Sequence, residues 1–170
     1  MFDSCVLGVD PGVARLGLAA VARDGRRPAL LWADTVTTGT DLSEAERLKM
    51  LADAVRAAIE AHLPVSVAVE RVAFNRNQVS AMSVARATGA VMVVAAEAGL
   101  FVDEYSPTEV KSAVTGAGNA DKRQVRDALE RVHGFRGLPA KPDAVDAAAV
   151  ALTHLVGSRL RAAARAGGAR

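Results

Sequence analysis

Two short apolar runs, Cys5-Val6-Leu7-Gly8-Val9-Asp10 and Pro64-Val65-Ser66-Val67-Ala68-Val69-Glu70, each close on a carboxylate. Both read as strands, and the second is too apolar for a surface loop. A carboxylate at the edge of a core calls for something positive to compensate it. Asp143 and Asp146 pose the same question, because they open a long Ala/Val/Leu helix pattern three residues apart. A fold that brought all four acids together would be suited to divalent metal and to hydrolytic chemistry.

The pattern between these points predicts the architecture. Strands are expected over 5–10, 15–22 and 29–37, the last two joined by the turn-rich Arg23-Asp24-Gly25-Arg26-Arg27-Pro28. Three strands in quick succession make an antiparallel meander. Ser43 and Glu46 form a capping box before a helix whose apolar stripe is Leu48, Leu51, Ala52, Val55 and Ile59. A strand at 65–70, a helix at about 77–98 stopped by Gly99, and a strand from Leu100 to Tyr105 follow. A short helix after Pro107, a charged helix from about Asp121 and a last helix from near Pro142 to about Arg161 complete the chain. The order predicts an α/β domain: a five-stranded mixed sheet flanked by helices, with one parallel half.

The chain has 170 residues and a 51% apolar fraction, enough for one substantial core; at 4% aromatic, that core is built from Ala, Val and Leu. We expect one domain over 1–158 and a flexible basic tail over 159–170, which carries arginines and no acid. The single cysteine, Cys5, rules out an internal disulfide framework and reads as an inert core thiol. No secretory signal is visible, and the longest apolar run, Ala87 to Ala96, is too short to span a bilayer, so a cytoplasmic protein is expected. A net charge of +2 neither demands nor forbids a nucleic-acid partner.

The helix at 77–98 is apolar around its circumference, so both of its sides should be covered. A second copy of the chain would do this; burial between the sheet and the terminal helix is the alternative. The acids also have bland readings. Asp10 precedes Pro11-Gly12, where an aspartate favours a type II turn for local reasons. Asp143 and Asp146 suit the first turn of a helix through its dipole. Their spacing equally puts both on one helical face. The joint reading rests on repulsion: two carboxylates ~4 Å apart repel by about 4 kcal/mol at an effective dielectric near 20, and two divalent cations would neutralise the cluster. Oxygen ligands alone favour Mg²⁺ or Mn²⁺ over Zn²⁺.

Four segments taken in order resemble the RuvC family of bacterial Holliday-junction resolvases. They are Leu7-Gly8-Val9-Asp10-Pro11-Gly12, Val69-Glu70-Arg71-Val72, Val110-Lys111-Ser112-Ala113-Val114-Thr115-Gly116 and Asp143-Ala144-Val145-Asp146-Ala147. The resemblance implies an RNase H-like fold and a homodimer that makes paired, symmetric nicks in four-way DNA junctions during recombination and repair. It also implies a branch-migration helicase as partner, and association with the nucleoid when DNA is bound. By position, Asp10, Glu70, Asp143 and Asp146 match the family's metal-binding catalytic carboxylates, for two Mg²⁺ per site with Mn²⁺ able to substitute. Lys111 and Lys122 match basic residues that act on DNA as point charges toward phosphate; Arg123 starts the same helix as Lys122. Family members often carry an aromatic residue three positions after the glutamate. That position here is Ala73, and the aromatic is Phe74, readable as a wedge that stacks on an unpaired base or as ordinary core. Arg76 and Asn77 are candidate phosphate contacts, with Asn77 equally suited to cap the following helix.

Two rival functions fit parts of the sequence. An actin-like phosphotransferase or ATPase also opens with Asp-x-Gly before a hairpin, but needs two related halves that 170 residues do not accommodate. A non-catalytic junction-binding scaffold would use the acids only as caps and turn residues. Thr115-Gly116-Ala117-Gly118 is not a P-loop, since no Lys-Ser/Thr follows at the required spacing. His62, His133 and His154 show no ligand spacing and read as structural or surface residues.

Overall fold

The computed structural model describes residues 4–25, 27–71 and 78–167. Five strands form one sheet in the order β3-β2-β1-β4-β5. β1 (Cys5–Asp10), β2 (Arg15–Asp24) and β3 (Arg27–Thr37) make the antiparallel meander, while β4 (Ser66–Glu70) pairs parallel with β1 and β5 (Phe101–Tyr105) parallel with β4. The mixed sheet expected from the sequence is therefore present, with its parallel half on the side that carries both strand-terminal acids.

Residue alternation along β1 and β4 divides the interior into two layers. Leu7, Val9, Val67 and Val69 point into a core shared with α1 (Glu44–His62) and α2 (Gln78–Glu97). Val6 and Ala68 point the other way, into a core shared with α3 (Pro107–Thr115), α4 (Lys122–Arg131) and α5 (Pro142–Gly167). Asp10 and Glu70 lie in the second set by the same period of two. The parallel register sets Val9 opposite Val69, so the two acids are neighbours at the carboxyl ends of adjacent strands.

The helices begin where local chemistry directs them. Ser43 and Glu46 cap α1 reciprocally: the Ser43 amide donates to Glu46 Oε2 at 2.8 Å, and the Ser43 hydroxyl accepts from the Glu46 amide. Ser106 and Glu109 repeat the device at α3, with Pro107 in the first turn, and Asp121 and Gln124 repeat it at α4. Leu51, Val55 and Ala58 are the buried residues of α1; Leu48, Ala52 and Ile59 of the expected stripe are partly buried beside them. α2 packs against α1 and the sheet on the face opposite α5, burying Ala87, Val91, Val94 and Ala95. It is not sandwiched between the sheet and α5, and Met82 and Val93 stand 56% and 58% exposed on its outer face. The backbone of α5 stays helical to Gly167, beyond the Arg161 expected from the sequence.

Candidate active site

α5 lies so close to β1 and β2 that two glycines are obligatory beneath it. A Cβ at Gly8 would fall on the Ala147 carbonyl oxygen, and one at Gly17 on the carbonyl oxygen of Asp143. This contact fixes the amino-terminal turn of α5 over the carboxyl ends of β1 and β4. Asp10, Glu70, Asp143 and Asp146 consequently line one cleft of about 600 Å³. The four acids singled out in the sequence thus share a site.

The rest of the cleft is held just as firmly. The loop after Asp10 is braced by Thr38, whose hydroxyl donates to the Val13 carbonyl at 2.6 Å and whose amide donates to Ala14 at 3.1 Å. Arg47 Nε donates to that hydroxyl at 2.8 Å, tying α1 to the loop. α3 brings Lys111 to the cleft, and the first residue of α4 brings Lys122. Arg15 and Arg71 line it as well.

Charge is unevenly balanced inside. Lys122 Nζ donates to Asp146 Oδ2 at 2.5 Å, and Arg15 Nε lies 3.4 Å from Asp143 Oδ2. Asp10 has the least favourable place. Burial first, then the charges of Glu70, Asp146 and Asp143, push its pKa up to about 7, with Lys122 opposing. Burial works against the charge on Lys122, yet the Asp146 hydrogen bond and the charges of Asp146, Asp10 and Asp143 hold its pKa above the ordinary lysine value. An acid disfavoured as a carboxylate by burial and by three neighbouring acids fits a site for hard divalent cations. Among the described residues no three His, Cys, Asp or Glu side chains converge tightly enough to grip an ion as they stand; Asp143 and Asp146 are turned to their cations.

The other sequence-derived candidates divide into three groups. Lys111 and Lys122 line the cleft, whereas Arg123 is exposed on α4 and is not among the residues lining it. Ala73, Phe74, Arg76 and Asn77 lie outside the described residues. The glycine-bearing loop after α3 closes that helix: Gly116 is its left-handed C-cap at φ 81°, and Thr115 Oγ1 donates to the Lys111 carbonyl at 2.8 Å. Arg15 and Arg71 escaped sequence reasoning. Nothing local separates Arg15 from any polar residue at the start of a strand, and Arg71 reads as the off-face neighbour of Glu70.

The histidines sit in packed surroundings. His62 stacks on Trp32 with ring centroids 5.1 Å apart, and His133 Nε2 is 2.8 Å from the Val114 carbonyl. His154 is buried on α5, with Nε2 3.0 Å from Ser66 Oγ and Nδ1 3.0 Å from the Tyr105 hydroxyl. Asp103 Oδ2 lies 3.5 Å from the same Nδ1.

Comparison with known proteins gives a consistent set of likenesses. Residues 6–154 match the family model described as crossover junction endodeoxyribonuclease RuvC. The chain is 40% identical over 148 residues to the protein of that name from Chloroflexus aggregans, covering 87% of this chain and 90% of the relative. It is 43% identical over 150 residues to that of Nocardia farcinica, covering 88% and 79%. Among solved structures it is similar to Thermus thermophilus RuvC in complex with Holliday junction substrate, with a TM-score of 0.86 and 36% identity over 92% of this chain and 96% of that one. The yeast mitochondrial Holliday junction resolvase Ydc2, at 14% identity and a TM-score of 0.66 over 88% and 77% of the two chains, shares the fold.

Proposed function

The chain belongs to the RuvC family of crossover junction endodeoxyribonucleases, and from that premise we propose how its cleft works. The protein is a metal-dependent nuclease with an RNase H-like fold that binds and resolves Holliday junctions in DNA recombination and repair. The observation that carries the reading at residue level is the meeting of Asp10, Glu70, Asp143 and Asp146 in one cleft rimmed by cations.

Our proposal is that these four carboxylates hold two Mg²⁺ ions, with Mn²⁺ able to replace them. Such ions supply an activated water and charge stabilisation for the leaving oxygen of a phosphodiester. The protein's own part is arrangement. Asp10, crowded by the charges of the other three acids, would be the central ligand; Glu70 and Asp146 would complete the set, and Asp143 would hold metal or orient water. Lys122, paired with Asp146 in the metal-free cleft, would face backbone phosphate together with Lys111 when metal is bound. Phe74, Arg76, Asn77 and Arg123 remain our candidates for wider DNA contact.

Paired nicks need two such clefts, so we propose a homodimer formed through the outer face of α2, where Met82 and Val93 are open. A branch-migration helicase complex is the proposed partner, and a cytoplasmic, nucleoid-associated protein the proposed setting. Among the described residues no helix is long and apolar enough to cross a membrane. Neither the actin-like ATPase nor the inert scaffold has an observation in its favour.

The deciding experiment offers purified protein an end-labelled four-way junction and a matched linear duplex, with Mg²⁺, Mn²⁺ or EDTA. Several sequences near the crossover guard against a hidden sequence preference. Metal-dependent paired nicks in the junction alone are expected. Tight binding without nicking in any metal would leave the scaffold reading standing instead.

A further inference from the structure

Arg15 opens β2 opposite Thr37 of β3. Its backbone neighbourhood is already fixed by strand pairing and by the Thr38 bonds to Val13 and Ala14. The side chain is mostly open to solvent: it is 66% exposed, while the Asp143 side chain it meets is 19% exposed. An ion pair this open contributes little to folding. Its place in the cleft therefore calls for a chemical reason.

Asp143 has two suitors, the guanidinium of Arg15 and any divalent cation that enters the cleft. When a cation takes the carboxylate, the guanidinium keeps its charge and its planar set of donors, and is released to meet another anion. The cleft has to admit a phosphodiester, and a guanidinium matches the paired oxygens of a phosphate as well as those of a carboxylate. Arg71 is less free to respond, since its guanidinium is turned toward the Glu104 carbonyl, 3.4 Å away.

We propose that Arg15 is a substrate-positioning residue: it holds Asp143 in the metal-free cleft and turns onto a backbone phosphate of the DNA junction once metal occupies Asp143. This rests on the metal-binding role assigned to Asp143 above. Arg15 and Lys122 then form a matched pair, each covering one α5 carboxylate at rest and one phosphate at work.

The test uses the full chain with Arg15→Gln and Arg15→Lys, and thermal melts to confirm that both fold. Calorimetric titration of Mn²⁺ into DNA-free protein comes first. Arg15→Gln removes the competitor, so Mn²⁺ should bind several-fold more tightly. Single-turnover cleavage with varied enzyme then separates junction affinity from the rate of chemistry. Losing one charge-assisted phosphate contact should weaken half-saturation by roughly tenfold while the maximal rate changes little. The slope of log affinity against log salt should become shallower by about 0.9. Arg15→Lys should restore the salt slope and only part of the affinity. Unchanged Mn²⁺ affinity, half-saturation and salt slope in Arg15→Gln would reduce Arg15 to a surface ion pair. A lower maximal rate at unchanged half-saturation would also overturn the assignment. Failure of the nuclease reading would appear in the wild-type chain, which would then nick nothing; failure of this inference appears only in the variants.

Discussion

Beneath α5, strand β4 meets a polar cluster at each of its ends, and the two could hardly be treated more differently. Toward the middle of the helix, His154 meets Ser66 at the start of β4 and Tyr105 at the end of β5, with Asp103 alongside. Both ring nitrogens have a partner, the group is buried, and it locks helix to strands. At the amino-terminal end, Asp143 and Asp146 overhang Asp10 and Glu70, the other extreme of the same β4. Here like charges crowd together and one acid is driven to a pKa of about 7. One end spends its polar groups on order, whereas the other keeps them in mutual repulsion. The repulsion is tolerable because the ordered end, and the glycines under α5, hold the helix where it is. Electrostatic frustration of this kind marks a place built to receive something positive.

Experiments can push on that contrast. The largest effect should come from Asp146→Asn, which ought to abolish cleavage while leaving junction binding and folding nearly intact. A direct ligand should cost more than the ~10–100-fold typical of an outer-shell partner, as read by single-turnover nicking. Gly17→Ala strikes the support of the same end, because its methyl group would collide with the Asp143 carbonyl. Overpacking of this sort costs about 1–3 kcal/mol, and here cleavage should fall more steeply than stability, since the acids ride on the displaced turn. His154→Ala attacks the ordered end. Leaving Ser66 and Tyr105 short of a buried partner should cost about 1–3 kcal/mol in urea unfolding. In that variant nicking should decline only in step with the loss of folded protein.

A subtler test uses pH. The folded-state pKa of Asp10 is raised from 3.8 to about 7. The folded chain therefore holds a proton that the unfolded chain releases. Metal-free stability should fall as pH rises through that window, and the loss should be complete above it. Asp10→Asn, already neutral, should flatten the profile and be more stable than wild type at pH 8 in urea unfolding. The smallest effect belongs to a control. Arg56→Ala removes exposed pairs to Asp53 and Glu97 far from both clusters and should leave the melting temperature within error.

The sequence made the clusters at the two ends of β4 very unequally legible. Asp10 and Glu70 were conspicuous because each interrupts an apolar strand, and Asp143 with Asp146 because their spacing is helical. Motif order then linked all four before any contact was known. The His154 cluster carried no such mark. Ser66, Asp103, Tyr105 and His154 are ordinary residues on three separate elements, brought together by the parallel pairing of β4 with β5 and the packing of α5 on β4. Arg15 was hidden for the same reason, since its meaning comes from the helix laid across it. The layer chosen by α2 was also beyond sequence periodicity, because an apolar helix fits either face of a sheet. The caps of α1, α3 and α4 rest on local rules, which is why the Ser43–Glu46 box could be read directly.

The glycines beneath α5 also bear on how this chain can change over time. Gly8 and Gly17, with Ala144, Ala147, Ala148 and Ala151 above, make an interior with almost no thickness to trade. A large ring directly under the helix would lift it, and the buried rings of this layer, Tyr105 and Phe135, come instead from β5 and the segment after α4. Drift directly under the helix is therefore restricted, whereas the larger side chains under α1 and α2 can exchange volume among themselves. The protein has, in effect, one side that evolution can remodel and one that it must inherit.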